Sequence, residues 1–239
     1  MNKKDTNELD EIREFYDSVY YKSIKSKTVS KKHLRRLAKK LNIHSEQQVL
    51  DVACGVGDWL KVCKERDAKI SGVDISNKAI SFCKQIFSEG TFVATPAEKL
   101  PFESNQFDVI SCLGSLEHFV DPITALKEMY RVAKKDAIFL LLVPNADFLT
   151  RRIGLFTGTY QIDAKEHVRT LQEWKTLFEK ADIKVIKRWK DLHVLSWDWI
   201  CSRKWYNVPA RTLQALLLTI WPLKWQYQVN HLCIKNKQP

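Results

Sequence analysis

The sequence predicts an α/β fold built on a doubly wound sheet. From residue 47 onward, short apolar runs alternate with stretches of helical period, the pattern of strand–helix–strand units. The first run, QVLDVA (48–53), opens into a turn holding two glycines, CGVG. A later run, DAIFLLLVPN, is apolar throughout, which suits a strand covered on both faces of a parallel sheet.

Each element follows from its own residues. Phe15, Tyr16, Val19 and Tyr20 make one apolar stripe, and Leu34, Leu37, Ala38 and Leu41 make another at i, i+3, i+4, i+7. These predict N-terminal helices lying over a core supplied by the remainder of the chain. After the glycine turn a helix is expected over 58–67. AKISGVDIS is a second strand, and a helix runs from Asn77 to Phe87. TFVAT and FDVISCL are the third and fourth strands, the latter introduced by the turn-rich ESNQ. Asp121-Pro122 opens a helix, since aspartate caps well and proline suits the first helical position. That helix is expected to run to Lys135, before the fifth strand. Thr170-Leu-Gln-Glu173 is a capping box, IKVIKRW a sixth strand and YQVNHLCI a seventh. Residues 1–44 read as a helical lid and 45–239 as the main domain.

Composition excludes several classes. A chain of 239 residues with 45% hydrophobic content can bury a core, and neither a secretory signal nor a bilayer-spanning run of about 20 apolar residues is present. The six cysteines are scattered without a CxxC pair, so reduced thiols in a cytoplasmic protein are expected rather than disulfides or zinc. The net charge of +11 is uneven: residues 1–40 carry +6, 41–150 carry −4 and 151–239 carry +9. Nine basic residues and no acid fall within Lys22–Lys40. Basic flanks suit phosphate-rich partners, nucleic acid or an anionic membrane, and equally an ordinary basic surface.

In doubly wound sheets ligands bind beyond the carboxyl ends of the strands. The first strand end presents Asp51, Ala53, Gly55 and Gly57, and glycines there let backbone approach a ligand. The second ends in Asp74 and Ile75, with Asp74 placed 17 residues after Gly57, where an acid can accept both hydroxyls of a ribose. The third is followed by Pro96-Ala97-Glu98, the fourth by Gly114-Ser115-Leu116-Glu117-His118 and the fifth by Pro144-Asn145. A dinucleotide or S-adenosylmethionine fits such a set. The dinucleotide fingerprint wants a third glycine where Leu60 stands, and Asp51 could meet an ammonium, which favours the sulfonium cofactor.

VLDVACGVGDWL, SGVDISNKAI, PAEKLPFESNQFDVISCLGSLEHFVDP and AIFLLLVPN together resemble the class I S-adenosylmethionine-dependent methyltransferases, with the likeness greatest to the small-molecule, methyltransferase type 11-like group that includes the quinone-biosynthesis O-methyltransferases. It covers roughly residues 45–190. The resemblance implies a Rossmann-like seven-stranded sheet with its last strand antiparallel. It further implies that the Asp51–Gly57 loop surrounds the methionine part, that Asp74 holds the ribose, that Ala97 donates its backbone N–H toward adenine, and that residues after the fourth strand line the transfer site. Two positions depart. Pro96 stands where the family usually has an aspartate. Gly114 stands where the quinone O-methyltransferases carry an acid that joins the Glu-His pair in binding a divalent metal, so no metal is expected.

The catalytic candidates are His118, Glu117 and His167: His118 as general base or metal ligand, or capping its loop by a hydrogen bond; Glu117 in the same roles, or as a structural carboxylate; and His167, before the capping box, in a substrate role. His33 and His44 are expected to face solvent. Tyr16, Tyr20 and Tyr21 could close over the cofactor or pack the lid. The segment 189–227 holds six of the eight tryptophans. Its insertion, 191–226, reads as a substrate-covering lid, a further packed helical layer or dimer contact, or a peripheral membrane contact. The expected activity is methyl transfer to an oxygen or nitrogen of a small, lipophilic or aromatic acceptor by a monomer or homodimer. The alternatives are an RNA methyltransferase and a non-catalytic cofactor-binding subunit. Nucleic acid is not favoured, because SLEH replaces the Asn/Asp-Pro-Pro-Tyr type motif used on base amines.

Overall fold

The computed structural model describes residues 3–22, 32–154, 166–195, 200–201, 206 and 208–236. Seven strands form one sheet in the order β3-β2-β1-β4-β5-β7-β6. They are β1 (Gln48–Val52), β2 (Lys69–Asp74), β3 (Thr91–Ala94), β4 (Phe107–Leu113), β5 (Ala133–Pro144), β6 (Ile183–Lys190) and β7 (Gln228–Lys235). β1 to β5 pair in parallel, while β7 is antiparallel to both β5 and β6. The expected α/β architecture and reversed last strand are both present.

α1 (Lys3–Phe15) runs into a π-helical turn, Tyr16–Tyr20, and α2 is Lys32–Lys40. The later helices are α3 (Asp58–Lys64), α4 (Asn77–Ile86), α5 (Pro122–Val132), α6 (Leu149–Arg152), α7 (Leu171–Glu179) and α8 (Val208–Ile220). One apolar layer joins Leu34, Ala38 and Leu41 of the lid region to Trp59, Leu60, Cys63 and Ile80 against one sheet face. The other joins Leu126, Met129, Trp174 and Phe178 to the opposite face. Five of the six cysteines are buried and free.

The caps foreseen at two helices form. Asp121 Oδ1 accepts the N–H groups of Ile123 and Thr124 at 3.1 and 3.0 Å. At α7 the Thr170 hydroxyl accepts the Glu173 N–H at 3.2 Å while Glu173 Oε2 accepts the Thr170 N–H at 2.7 Å. The boundary after α5 differs from expectation. The helix stops at Val132, because Ala133 already pairs with Phe107 across a register shift. The Gln106 N–H reaches the Val132 carbonyl at 2.8 Å, and Lys134 meets Asp108 at 2.8 Å.

The N-terminal stripe also differs. Val19 and Tyr20 are more than half exposed. Asp17 instead anchors this segment: its carboxylate accepts the Ser76 hydroxyl and, at 3.2 Å, the Lys78 N–H at the start of α4. Arg13 Nε donates to the Ile75 carbonyl at 3.3 Å. The lid is thereby pinned beside the end of β2.

Buried Asn145 ties the C-terminal insertion to the end of β5. Its Nδ2 donates to the carbonyls of Lys224 and Gln226 at 2.8 and 3.2 Å, and its Oδ1 accepts the Asp147 N–H. Asn145→Ala leaves two carbonyls without their donor in a dry site, and urea unfolding should show a loss of about 2–3 kcal/mol.

Candidate active site

A cleft open to solvent lies at the carboxyl ends of β1, β2 and β4, the usual place for a ligand in such a sheet. Ala53, Asp74, Ile75, Ala97, Glu98, Ser115, His118 and Tyr20 all line it. So do Leu9 and Ile12 of α1, with Tyr16, Tyr21, Pro96, Gly114, Phe119 and Val120. Leu9 and Ile12 carried no chemical signal in the sequence; an apolar residue on a lid helix is the same whether it meets core or ligand.

Asp74 organises the cleft. Its Oδ2 accepts the Gly55 N–H at 2.8 Å and its Oδ1 accepts the Ser76 N–H at 2.9 Å. Burial raises its pKa, against the pull of these N–H groups. Each carboxylate oxygen has a second lone pair, so Asp74 can hold the loop and still accept from hydroxyls in the cleft. The loop needs left-handed backbone, with φ of 58° at Ala53, 53° at Gly55 and 79° at Gly57.

The two glycines serve different neighbours. A Cβ on Gly55 would lie 2.8 Å from the Tyr21 hydroxyl, so the lid closes directly on the loop. A Cβ on Gly57 would lie 2.7 Å from the Phe87 ring, behind the loop, and Gly57 is not among the cleft-lining residues. Asp51 is likewise set beneath the loop rather than in the wall. It is buried, its Oδ1 accepts the Ser111 hydroxyl at 2.6 Å, and burial pushes its carboxyl up to about 7.

After β4, a single turn of 3₁₀ helix, Leu116–His118, turns His118 into the cleft wall and Glu117 inward. Glu117 is 3% exposed and its Oε2 accepts no hydrogen bond from the described residues. Burial, then the nearby Glu166 carboxylate, pushes it up to about 7. His167 is exposed and meets this turn through its backbone, its N–H reaching the Glu117 carbonyl at 2.9 Å. The neighbouring Glu166 does what the sequence did not single out: ligand atoms of Glu117, His118 and Glu166 lie within 4.8 Å of one another. These three could hold a divalent ion. The ground for expecting none was the missing acid at Gly114, and Glu166 supplies a carboxylate from a distant segment. Glu98 Oε1 accepts the Asp121 N–H at 3.1 Å, so part of its capacity is structural. Of the two histidines expected in solvent, His44 is exposed, whereas His33 is half-buried with its ring 6.3 Å from that of His193.

The Asp51 environment gives a pH prediction. An unfolded aspartate titrates near 3.9, so with a folded value of about 7 the native state holds the proton more tightly. The associated stability is full below pH of about 4 and is lost as pH rises through about 7. Asp51→Asn keeps an oxygen for Ser111 and removes the charge. Urea unfolding above pH of about 7 should find the variant more stable by on the order of 1–3 kcal/mol, with no difference near pH 4.

A family model described as a methyltransferase domain matches residues 50–141. Among curated relatives, a demethylmenaquinone methyltransferase of Thermotoga maritima is 30% identical over 170 residues, covering 64% of this chain and 73% of that protein. A Campylobacter jejuni protein named ubiquinone/menaquinone biosynthesis C-methyltransferase is 30% identical over 123 residues, 48% of this chain and 51% of that one. The chain spans only 51–60% of the length of other curated relatives it matches, the Campylobacter jejuni protein among them. Among solved structures, the YcgJ protein of Bacillus subtilis shares the fold with a TM-score of 0.61 at 20% identity, over 87% of this chain and 99% of that one. With the sheet order, the loop and a relative matched over most of its length, the chain belongs to the class I S-adenosylmethionine-dependent methyltransferases.

Proposed function

We propose that the chain transfers a methyl group from S-adenosylmethionine to a small, lipophilic, quinol-like acceptor. The observation that carries this reading is the Gly55–Asp74 hydrogen bond of 2.8 Å at the floor of an open cleft. It sets the glycine loop and the strand-end acid at one site, one for the amino acid part of the cofactor and one for its ribose. The buried Asp51 carboxylate lies under the loop, where its field favours the cofactor's ammonium. Ala97 and Pro96 give the adenine an apolar wall with backbone polar groups.

The sulfonium supplies an already activated methyl group, so the chain's own residues have to align the acceptor in line and keep water out. Leu9, Ile12, Tyr16 and Phe119 furnish the dry walls. His118, in the wall beside Gly114 and Ser115, is the group that takes the acceptor's proton. Loss of a phenolic proton leaves an anion that is nucleophilic at oxygen and at the neighbouring ring carbon. In either case the S–CH3 bond breaks and S-adenosylhomocysteine leaves; at carbon, the ring proton is then lost as the oxygen is reprotonated, so one base serves either outcome and the expectation of an oxygen or nitrogen acceptor widens to include carbon. The relatives named for quinone biosynthesis favour the ring carbon.

Two measurements test this. Calorimetry with S-adenosylhomocysteine should show binding that Asp74→Ala weakens by about tenfold or more, the scale of two lost hydrogen bonds to a charged group. Binding that is absent, or unchanged in the variant, ends the reading. With a reduced naphthoquinone as acceptor, His118→Gln should lower kcat by about 10²–10⁴ while leaving S-adenosylhomocysteine affinity within about twofold.

A further inference from the structure

α8 carries apolar side chains on its outer as well as its inner face. Its inward positions are Val208, Thr212, Ala215, Leu218 and Thr219. Leu213, Leu216, Leu217 and Ile220, spaced i, i+3, i+4, i+7, are 59, 57, 37 and 75% exposed. A surface helix normally turns such a stripe toward the core. Leaving it in water forgoes the gain of burying four large apolar side chains, and contiguous exposed apolar surface marks an interaction site.

The surrounding charge identifies what the stripe meets. Arg211 lies on α8 itself and exposed Lys224 just beyond its end, and no described Asp or Glu follows Asp191 in this part of the chain. Lys190 Nζ donates to the Thr219 carbonyl at 2.6 Å, which fixes α8 beside a groove lined by Arg36, Lys40 and Lys190 along Trp189. Lys40 stands 3.7 Å from the centre of the Trp189 ring. The groove's carboxylate, Asp191, is engaged by His193 at 2.6 Å. Trp221 and Trp225, both half-buried, close the C-terminal end of the helix; tryptophan is enriched at membrane–water interfaces. A second copy of this chain would set these cations against themselves. A sheet of phosphate headgroups over hydrocarbon would satisfy both the charge and the stripe.

We propose that α8 lies in the surface of an anionic phospholipid bilayer, with Leu213, Leu216, Leu217 and Ile220 among the acyl chains and the Arg36–Lys40–Lys190 groove toward the headgroups. The contact is peripheral: among the described residues no helix is long and apolar enough to cross a membrane. Asn145 and Gln226 hold the C-terminal end of α8 at the carboxyl edge of β5, the same edge of the sheet that carries the cleft. A lipophilic acceptor would then reach the site from the bilayer; that clause rests on the proposed function, and the membrane contact itself does not.

The test is flotation of the full chain with phosphatidylcholine vesicles, with and without phosphatidylglycerol. The chain should float with the anionic vesicles, less so as salt is raised. Leu216→Glu with Ile220→Glu should reduce partitioning by about tenfold or more, and Arg36→Glu with Lys187→Glu, the latter an exposed lysine of β6 beside Lys40, should abolish the preference for phosphatidylglycerol. All these positions are exposed, so thermal melting and S-adenosylhomocysteine binding should match the parent. Failure of the parent to float, equal flotation of the Leu216/Ile220 variant, or a dimer in sedimentation that this variant dissolves without any vesicle binding would each overturn the proposal. Loss of S-adenosylhomocysteine binding in a chain that still floats would instead count against the methyltransferase reading.

Discussion

The Asp74 carboxylate is the constraint on which the cleft depends. A buried anion is costly unless hydrogen-bonded, and here the donors are the Gly55 and Ser76 backbone N–H groups. Satisfying that charge draws the loop after β1 onto the end of β2 and sets the first turn of α4. The same turn receives Asp17, so the lid is held by the neighbourhood that Asp74 orders. The local demand of one carboxylate thus fixes strand end, glycine loop and roof together.

Methyl transfer from a sulfonium asks for alignment and dryness more than for strong acids and bases. The division of labour in the chain reflects that. In the proposed reading, cradling the cofactor falls to backbone groups and carboxylates on β1 and β2. The walls are apolar side chains of α1 and of the loop after β4, together with tyrosine rings of the lid. Glu117 stands apart, since a carboxyl with an unpartnered oxygen is conspicuous in so dry a setting. Its proximity to His118 and Glu166 gives that oxygen a chemical context that burial alone does not.

Much of this was legible in the sequence because it is local. Strand runs, the Asp121 and Thr170 caps, the loop glycines and Asp74 all announce themselves within a few residues. The features that were not legible depend on distance. Glu166 joins Glu117 only through the turn that brings His167 against the Glu117 carbonyl, and no spacing rule connects positions so far apart. The same holds for Gly57, whose φ of 79° and proximity to Phe87 give it a packing role that sequence cannot separate from cofactor contact. Val19 and Tyr20 misled in the opposite sense: their stripe is apolar, but polar anchors, Asp17 and Arg13, decide how the segment lies. Trp197, Trp199 and Trp205, prominent in the insertion, lie outside the described residues.

The family model matches this chain within its acidic middle, while the basic flanks supply the lid and α8. That partition has a physical logic. Under the proposed function, a cofactor common to many enzymes would be met by the part of the fold whose geometry is fixed by the sheet, and acceptor and location by segments that the sheet does not constrain. A helix with one fully buried side chain, Ala215, and four large apolar side chains outside draws little stability from its own domain. Such a helix is informative because packing within the chain leaves its outer stripe unexplained: the inward face meets the modest demand of packing beside Lys190 and the His193–Leu195 turn, and the outward leucines are the basis of the proposed bilayer contact.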